Sequence, residues 1–296
     1  MLPAAAVVLW LIAHRRSPLA QAWRPGGGGR RRAAGLSVRA AGAGEGALVL
    51  LHGLTASGDT FGARYDRLAM QGQLLIPDLL GFGRSMDERR SDFSLEAHLD
   101  ALDRMIESSA PGESKITVAG HSLGGLLALH WAARRSDVVR VVCFSAPLYH
   151  SSSEADARIR GMGWMERLFA LEGPLAKAAC AWMCRHRGTA QWVTVALEPR
   201  WPVPIARMGV RHTWLSYLGA MNGVIRHGGW ESALQDLEAA GVPVLLANGA
   251  RDPVPVPGRA AGLALRHGNL EAVEHPTADH DLPISHPVWC VRALAG

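Results

Sequence analysis

The 296-residue sequence predicts an α/β fold: a mostly parallel central sheet flanked by helices, with a mainly helical insertion late in the chain. Three observations carry this. Short apolar runs recur along the chain, and they are continuous rather than alternating, as in strands covered on both faces. Helical patterns separate the runs, giving the strand–helix rhythm of a parallel sheet. That rhythm stops at about residue 148 and resumes near 231, and tryptophan and methionine accumulate between. The 48% hydrophobic content is enough for one large core.

The elements follow in order. The start, "MLPAAAVVLWLIAHRR", holds an apolar run over 2–13. It is shorter than the roughly 20 residues a membrane-spanning helix needs. As a secretion signal it has its charges on the wrong side, because His14, Arg15 and Arg16 follow the run and no base precedes it. A membrane-surface anchor, a weak signal and a helix packed on the body all remain open, with a cytoplasmic location favoured over secretion. "PGGGGRRRAAG" (25–35) reads as a flexible linker, which sets the leader at 1–35. "LSVRAAG" (36–42) suits an antiparallel edge strand. The buried runs are "GALVLLHG" (46–53), "QLLIPDLLGFGRS" (73–85), "SKITVAGHS" (114–122), "VVRVVCFSAP" (138–147) and "VPVLLANGARD" (242–252), with a weaker "NLEAVEH" (269–275). Helical patterns cover 60–71, 94–109, 123–135 and 231–240. The core is therefore expected at 36–147 and 231–296, with a helical cap at 148–230.

Charge follows the same division. The first 40 residues carry seven arginines and no acid. Without these seven, the chain's 31 basic residues fall to 24, against 26 acidic ones, so the basic balance belongs to the leader. No folded module pairs a basic face with interleaved aromatics, so nucleic acid is not an expected partner. The cap segment holds ten basic and five acidic residues, and six of the ten tryptophans: Trp164, Trp182, Trp192, Trp201, Trp214 and Trp230. Large aromatics can build the core of a thin insertion, or line an apolar substrate pocket, and both roles are expected here. Cys143, Cys180, Cys184 and Cys290 show no metal-binding spacing and read as reduced, packed thiols.

The chemistry concentrates in "VAGHSLGGLLALH" (118–130). A strand ends and a good helix begins within it, so Gly120-His121-Ser122-Leu123-Gly124 falls on the turn between them. A sharp turn strains the backbone at Ser122, and glycine at 120 and 124 removes side chains that would clash. The serine then stands at a helix N-terminus, where free N–H groups favour developing negative charge. A serine hydroxyl needs a base, and the base needs an orienting acid. Asp252 follows a strand, whereas Asp236 sits inside a helical pattern. Of three late histidines, His275 ends a strand and His286 lies past the start of a short helix. His280 occupies the loop between them, where it can reach back to the serine. Oxyanion donors are expected from the backbone N–H groups of Leu54, in the His-Gly turn after the first buried strand, and of Leu123. His52 is read as a support of that turn.

Together "LLHGLTAS", "IPDLLGFGRS", "GHSLGG", "NGARDPVPV" and "ADHDLP" resemble, in order, the α/β-hydrolase fold superfamily over residues 36–296. The resemblance implies Ser122 as nucleophile, Asp252 as acid and His280 as base, with neither metal nor organic cofactor. "DLLGFGRS" resembles a segment of epoxide hydrolases and dehalogenases, but these carry a carboxylate nucleophile where this chain has Ser122. The expected activity is hydrolysis of a small-to-medium, largely apolar ester, lactone or thioester through an acyl-enzyme. A carbon–carbon bond hydrolase, an acyltransferase and a non-catalytic ligand-binding protein on this fold are the alternatives. The expected partner is a small apolar substrate, with a membrane surface as a second through the leader.

Overall fold

In a computed structural model, which describes residues 4–109, 115–161 and 173–296, the apolar runs form one eight-stranded sheet. The strands are β1 (Gly29–Ala33), β2 (Leu36–Ala41), β3 (Gly46–Leu51), β4 (Gln73–Pro77), β5 (Lys115–His121), β6 (Val138–Phe144), β7 (Val244–Gly249) and β8 (Leu270–His275). Their order is β1-β2-β4-β3-β5-β6-β7-β8. β2 is antiparallel to β1 and β4, and every pairing from β4 to β8 is parallel.

Alternate residues of each central strand enter opposite layers. Val49 and Leu51 of β3, Ile116 and Val118 of β5, and Val141 and Cys143 of β6 pack into the larger core, with α3 (Leu95–Ser109), α4 (Leu123–Ala133) and the helix Trp230–Ala239. Leu50, Ala119, Val142 and Phe144 enter the other layer, under Tyr65, Leu68 and the helix Pro287–Ala295. Arg140 of β6 closes this second layer by donating to the carbonyls of Ala293 and Leu294, both at 2.9 Å, at the end of that helix.

Two expectations need correction. The 25–35 stretch is not a free linker, because Gly29–Ala33 forms β1 and makes β2 an inner strand. Ala33 pairs with Leu36, so Ala34 and Gly35 form a two-residue turn with φ of 49° and 90°. Positive φ at both positions matches the twist of the hairpin strands, but alanine does not announce such a turn. The helix expected at 60–71 is instead a 3₁₀ segment, Ala63–Met70, after a short one at Gly58–Thr60. Its buried residues, Tyr65 and Leu68, are three apart, which is the 3₁₀ period.

Between β6 and β7 the described chain is helical: α5 (Ser152–Arg160), then Pro174–Arg185, Arg187–Leu197, Val203–Met208, Trp214–Ala220 and a π-helical turn at Met221–Ile225. This insertion returns to the loop after β4. Phe82 and His212 form a β-bridge, Gly83 N–H donates to Arg211 O (2.8 Å), and Arg211 Nε–H donates to Gly83 O (3.1 Å). The tryptophans divide as their surroundings require. Trp230 opens a core helix, is buried, and donates Nε1–H to Tyr149 O at 2.7 Å. Trp182 and Trp192 are exposed, and Trp201 and Trp214 are half-buried. Trp164, Met162 and Met165 lie outside the described residues. All four cysteines are free thiols.

The leader forms α1 (Ala4–Arg16) and α2 (Pro18–Ala22), packed on the insertion. Trp10 Nε1–H donates to Val195 O and His14 Nδ1–H to Pro199 O, both at 2.8 Å, and Ser17 Oγ–H donates to Arg200 O. Trp23, Ile205 and Ile284 join leader, insertion and core in one small apolar cluster. Among the described residues, no helix is long and apolar enough to cross a membrane.

Candidate active site

Ser122 stands between β5 and α4 with φ 53° and ψ −118°, a left-handed conformation that a side chain adopts only under constraint. The neighbouring glycines permit the turn. A Cβ on Gly120 would lie 1.9 Å from Gly124 O, and one on Gly124 would lie 2.2 Å from Leu51 O. Both obstacles are backbone and cannot rotate away. Gly124→Ala is therefore expected to destabilise the protein by about 3 kcal/mol, read as a lower denaturant midpoint at unchanged slope.

The turn after β3 passes directly against this elbow. A Cβ on Gly53 would lie 3.0 Å from His121 Nδ1 and 3.3 Å from Ser122 Cβ. His52 shapes the turn from inside: its Nδ1–H donates to Gly53 O (2.7 Å) and its Nε2 accepts from Leu79 N–H (2.8 Å). Burial holds its pKa below the ordinary imidazole value, so the ring is neutral. Leu54 and Leu123 follow the two turns, and neither N–H donates to another described group.

Asp252 and His280 follow the neighbouring strands β7 and β8, at the same C-terminal edge of the sheet as Ser122. Ligands of parallel sheets bind along that edge. His280 Nδ1–H donates to both carboxylate oxygens of Asp252, at 3.0 and 3.1 Å. Asp252 Oδ1 also accepts from Val254 N–H at 2.8 Å. The Asp252 side chain is fully buried, and that of His280 is 28% exposed. Burial favours a neutral Asp252, but His280, the Ser145 side chain and the Val254 N–H outweigh it and lower the pKa. Burial likewise opposes charge on His280; Asp252, with smaller contributions from Asp281 and Asp279, overcomes it and raises the pKa.

His280 is tied to the elbow through His121. The Nε2–H of His121 donates to the His280 carbonyl at 2.7 Å, and the two rings lie 4.7 Å apart. Burial, and then His280, push the His121 pKa down to about 3, so this buried ring stays neutral. Among the described residues, Ser122 Oγ makes no hydrogen bond. The rival residues lie elsewhere. His275 and His286 pack on each other with ring centres 4.1 Å apart, and Asp236 is exposed on its helix. Among the described residues, no group of three or more His, Cys, Asp or Glu side chains is arranged to hold a metal ion.

The model of the alpha/beta hydrolase family matches residues 48–293. The chain belongs to the alpha/beta hydrolase family. It is 29% identical over 251 residues to the probable lysophospholipase BODYGUARD 4 of Arabidopsis thaliana, a match that covers 74% of this chain. The chain spans only 57% of that relative's length. Among solved structures, it resembles a carboxylesterase of Nitrososphaera gargenis with a TM-score of 0.65 at 19% identity, over 88% of this chain and 93% of that one. It also resembles the N-formylmaleamic acid deformylase of Pseudomonas putida S16 with a TM-score of 0.66 at 19% identity, over 90% and 100%. At that identity the structures share the fold.

In this alpha/beta hydrolase several residues that bear on the site have no sequence signal. Ser145 directly follows β6 with φ 53°, and its hydroxyl is fully buried without a hydrogen bond of normal geometry. The loop that carries Asp252 is held from the insertion side. Tyr149 Oη–H donates to Val254 O (2.8 Å), and the Arg158 guanidinium donates to the carbonyls of Pro255 (2.8 Å) and Pro253. Arg259 pairs with Glu154 on α5 at 2.7 and 2.8 Å. These contacts join residues about a hundred positions apart, which no local pattern reveals. The elbow motif contains His121, but nothing in the sequence signals its bond to the His280 loop.

Proposed function

We propose that the protein is a serine hydrolase that cleaves a small-to-medium, largely apolar carboxylic ester, lactone or thioester through an acyl-enzyme. Ser122 is the nucleophile, His280 the general base and Asp252 the acid that orients and charges it. The backbone N–H groups of Leu54 and Leu123 hold the oxyanion. The observation that carries the reading is the strained φ of Ser122 on a strand-to-helix turn, beside a His280–Asp252 pair on the same sheet edge. His280 Nδ1–H is committed to Asp252, which leaves Nε2 to take the serine proton. Contacts between nucleophile and base tighten when substrate binds, so an unbonded Ser122 Oγ suits a free enzyme.

The acylation step moves the Ser122 proton to His280 as Oγ bonds to the carbonyl carbon. His280 then returns the proton to the leaving oxygen or sulfur. A water molecule, deprotonated by His280, releases the acyl group and restores the serine. An apolar acyl chain is supported by the lysophospholipase name of the plant relative, with the insertion acting as a cap. A fluorophosphonate probe is expected to label Ser122 stoichiometrically and abolish turnover of p-nitrophenyl esters. Activity across that ester series should rise with acyl length beyond acetate. Labelling at another residue, or none with turnover intact, would remove Ser122 from the mechanism.

A further inference from the structure

We propose that α1 and the outer side of the insertion form a single surface that docks on an anionic bilayer. The proposal does not depend on the ester-hydrolase reading. Its first support is an apolar face left exposed among the described residues. Val8, Leu9, Leu11 and Ile12 of α1 are exposed, Leu9 at 67%. The insertion helix that receives the Trp10 bond, Arg187–Leu197, also exposes Leu197 to the same degree and Trp192 at 59%. Soluble surfaces scatter such residues singly, and contiguous ones mark an interaction site.

Leader and insertion present this face together. The bonds from Trp10, His14 and Ser17 to the carbonyls of Val195, Pro199 and Arg200 fix α1 along the C-terminal end of the helix Arg187–Leu197. A helix of 13 residues is about 20 Å long, against a hydrocarbon layer of roughly 30 Å. It can lie in the interface but cannot cross it.

Charge identifies the occupant. Arg15 and Arg16 close α1 and are exposed, and Arg185 and Arg200 are exposed on the insertion. The first 40 residues contain no acid at all. A second copy of the chain would bring like charges face to face, whereas anionic headgroups would neutralise them. Trp192, with the Arg207 guanidinium 5.0 Å above its ring, presents the indole-and-cation pairing that suits the headgroup level.

The test is cosedimentation of the full chain with vesicles of phosphatidylcholine containing phosphatidylglycerol, beside pure phosphatidylcholine vesicles. The expected result is binding to the anionic vesicles, weaker binding to the neutral ones, and loss of the difference in high salt. The double variant Leu9→Ser/Ile12→Ser should bind at least about tenfold more weakly to both. Arg15→Gln/Arg16→Gln leaves the apolar face intact and should weaken binding to the anionic vesicles alone. Thermal melts that match the parent show that the variants keep their fold. Failure of the parent to sediment, or parental binding by both variants, would overturn the proposal. So would a vesicle-free dimer that Leu9→Ser/Ile12→Ser converts to monomer, because the face would then join two copies.

Discussion

Ser122→Ala is expected to lower kcat on a p-nitrophenyl ester by a factor on the order of 10⁶, with the fold retained. The size follows from the proposed arrangement. His280 and Asp252 act on the Ser122 oxygen, and without it no acyl-enzyme forms and the donors after the two turns have no tetrahedral oxyanion of that step to hold. Alanine has less need of space than serine, and the strain at φ 53° is the same for both. The thermal melt should therefore move little while activity disappears. Kinetics and melting together separate a lost nucleophile from a damaged elbow. Near-parental turnover would mean that the reacting oxygen is not Ser122 Oγ.

Asp252→Asn should cost about 10⁴ in kcat, and it should also move the pH profile. In the parent protein the general base must be neutral, so kcat/KM falls as the pH drops through the pKa of His280. That pKa is raised above the ordinary imidazole value, because Asp252, aided by Asp281 and Asp279, outweighs burial. The acid limb should accordingly lie at a higher pH than that of a free imidazole. In the Asp252→Asn variant the main stabilising charge is gone while burial remains, so the residual activity should extend to lower pH. An unshifted limb would show that another group governs the titration. Asp281 is the nearest candidate, since burial pushes its pKa up to about 6.

How much of this was legible in the sequence depended on how local the cause was. The parallel strands read clearly because both of their faces are covered, which turns them into continuous apolar runs. The elbow read clearly because its steric demand falls on residues two positions from Ser122. Asp252 and His280, singled out by their places after strands, do pair with each other, whereas His275 and His286 pack tilted against one another instead. The glycine tetrad at 26–29 hid β1, since glycine suggests freedom while the pairing partners lie further on, in β2. The 3₁₀ segment is not legible in the sequence because an apolar spacing of three also fits an α-helix. The contacts of Tyr149 and Arg158 with the Asp252 loop could not be read at all, because they form only after the insertion folds back over the sheet.

β1 has a consequence for how this protein behaves among its own copies. It is the outermost strand, and its free side would otherwise offer a template for another chain. Three consecutive arginines occupy it, and each guanidinium is held: Arg30 by Asp59 and Asp78, Arg31 by the Ser109 carbonyl, Arg32 by the Gly35 carbonyl. An incoming strand would have to strip water from this row of fixed cations before its backbone could pair. The hairpin that looked like a slack tether thus works as a selvedge, finishing the sheet so that it does not grow sideways.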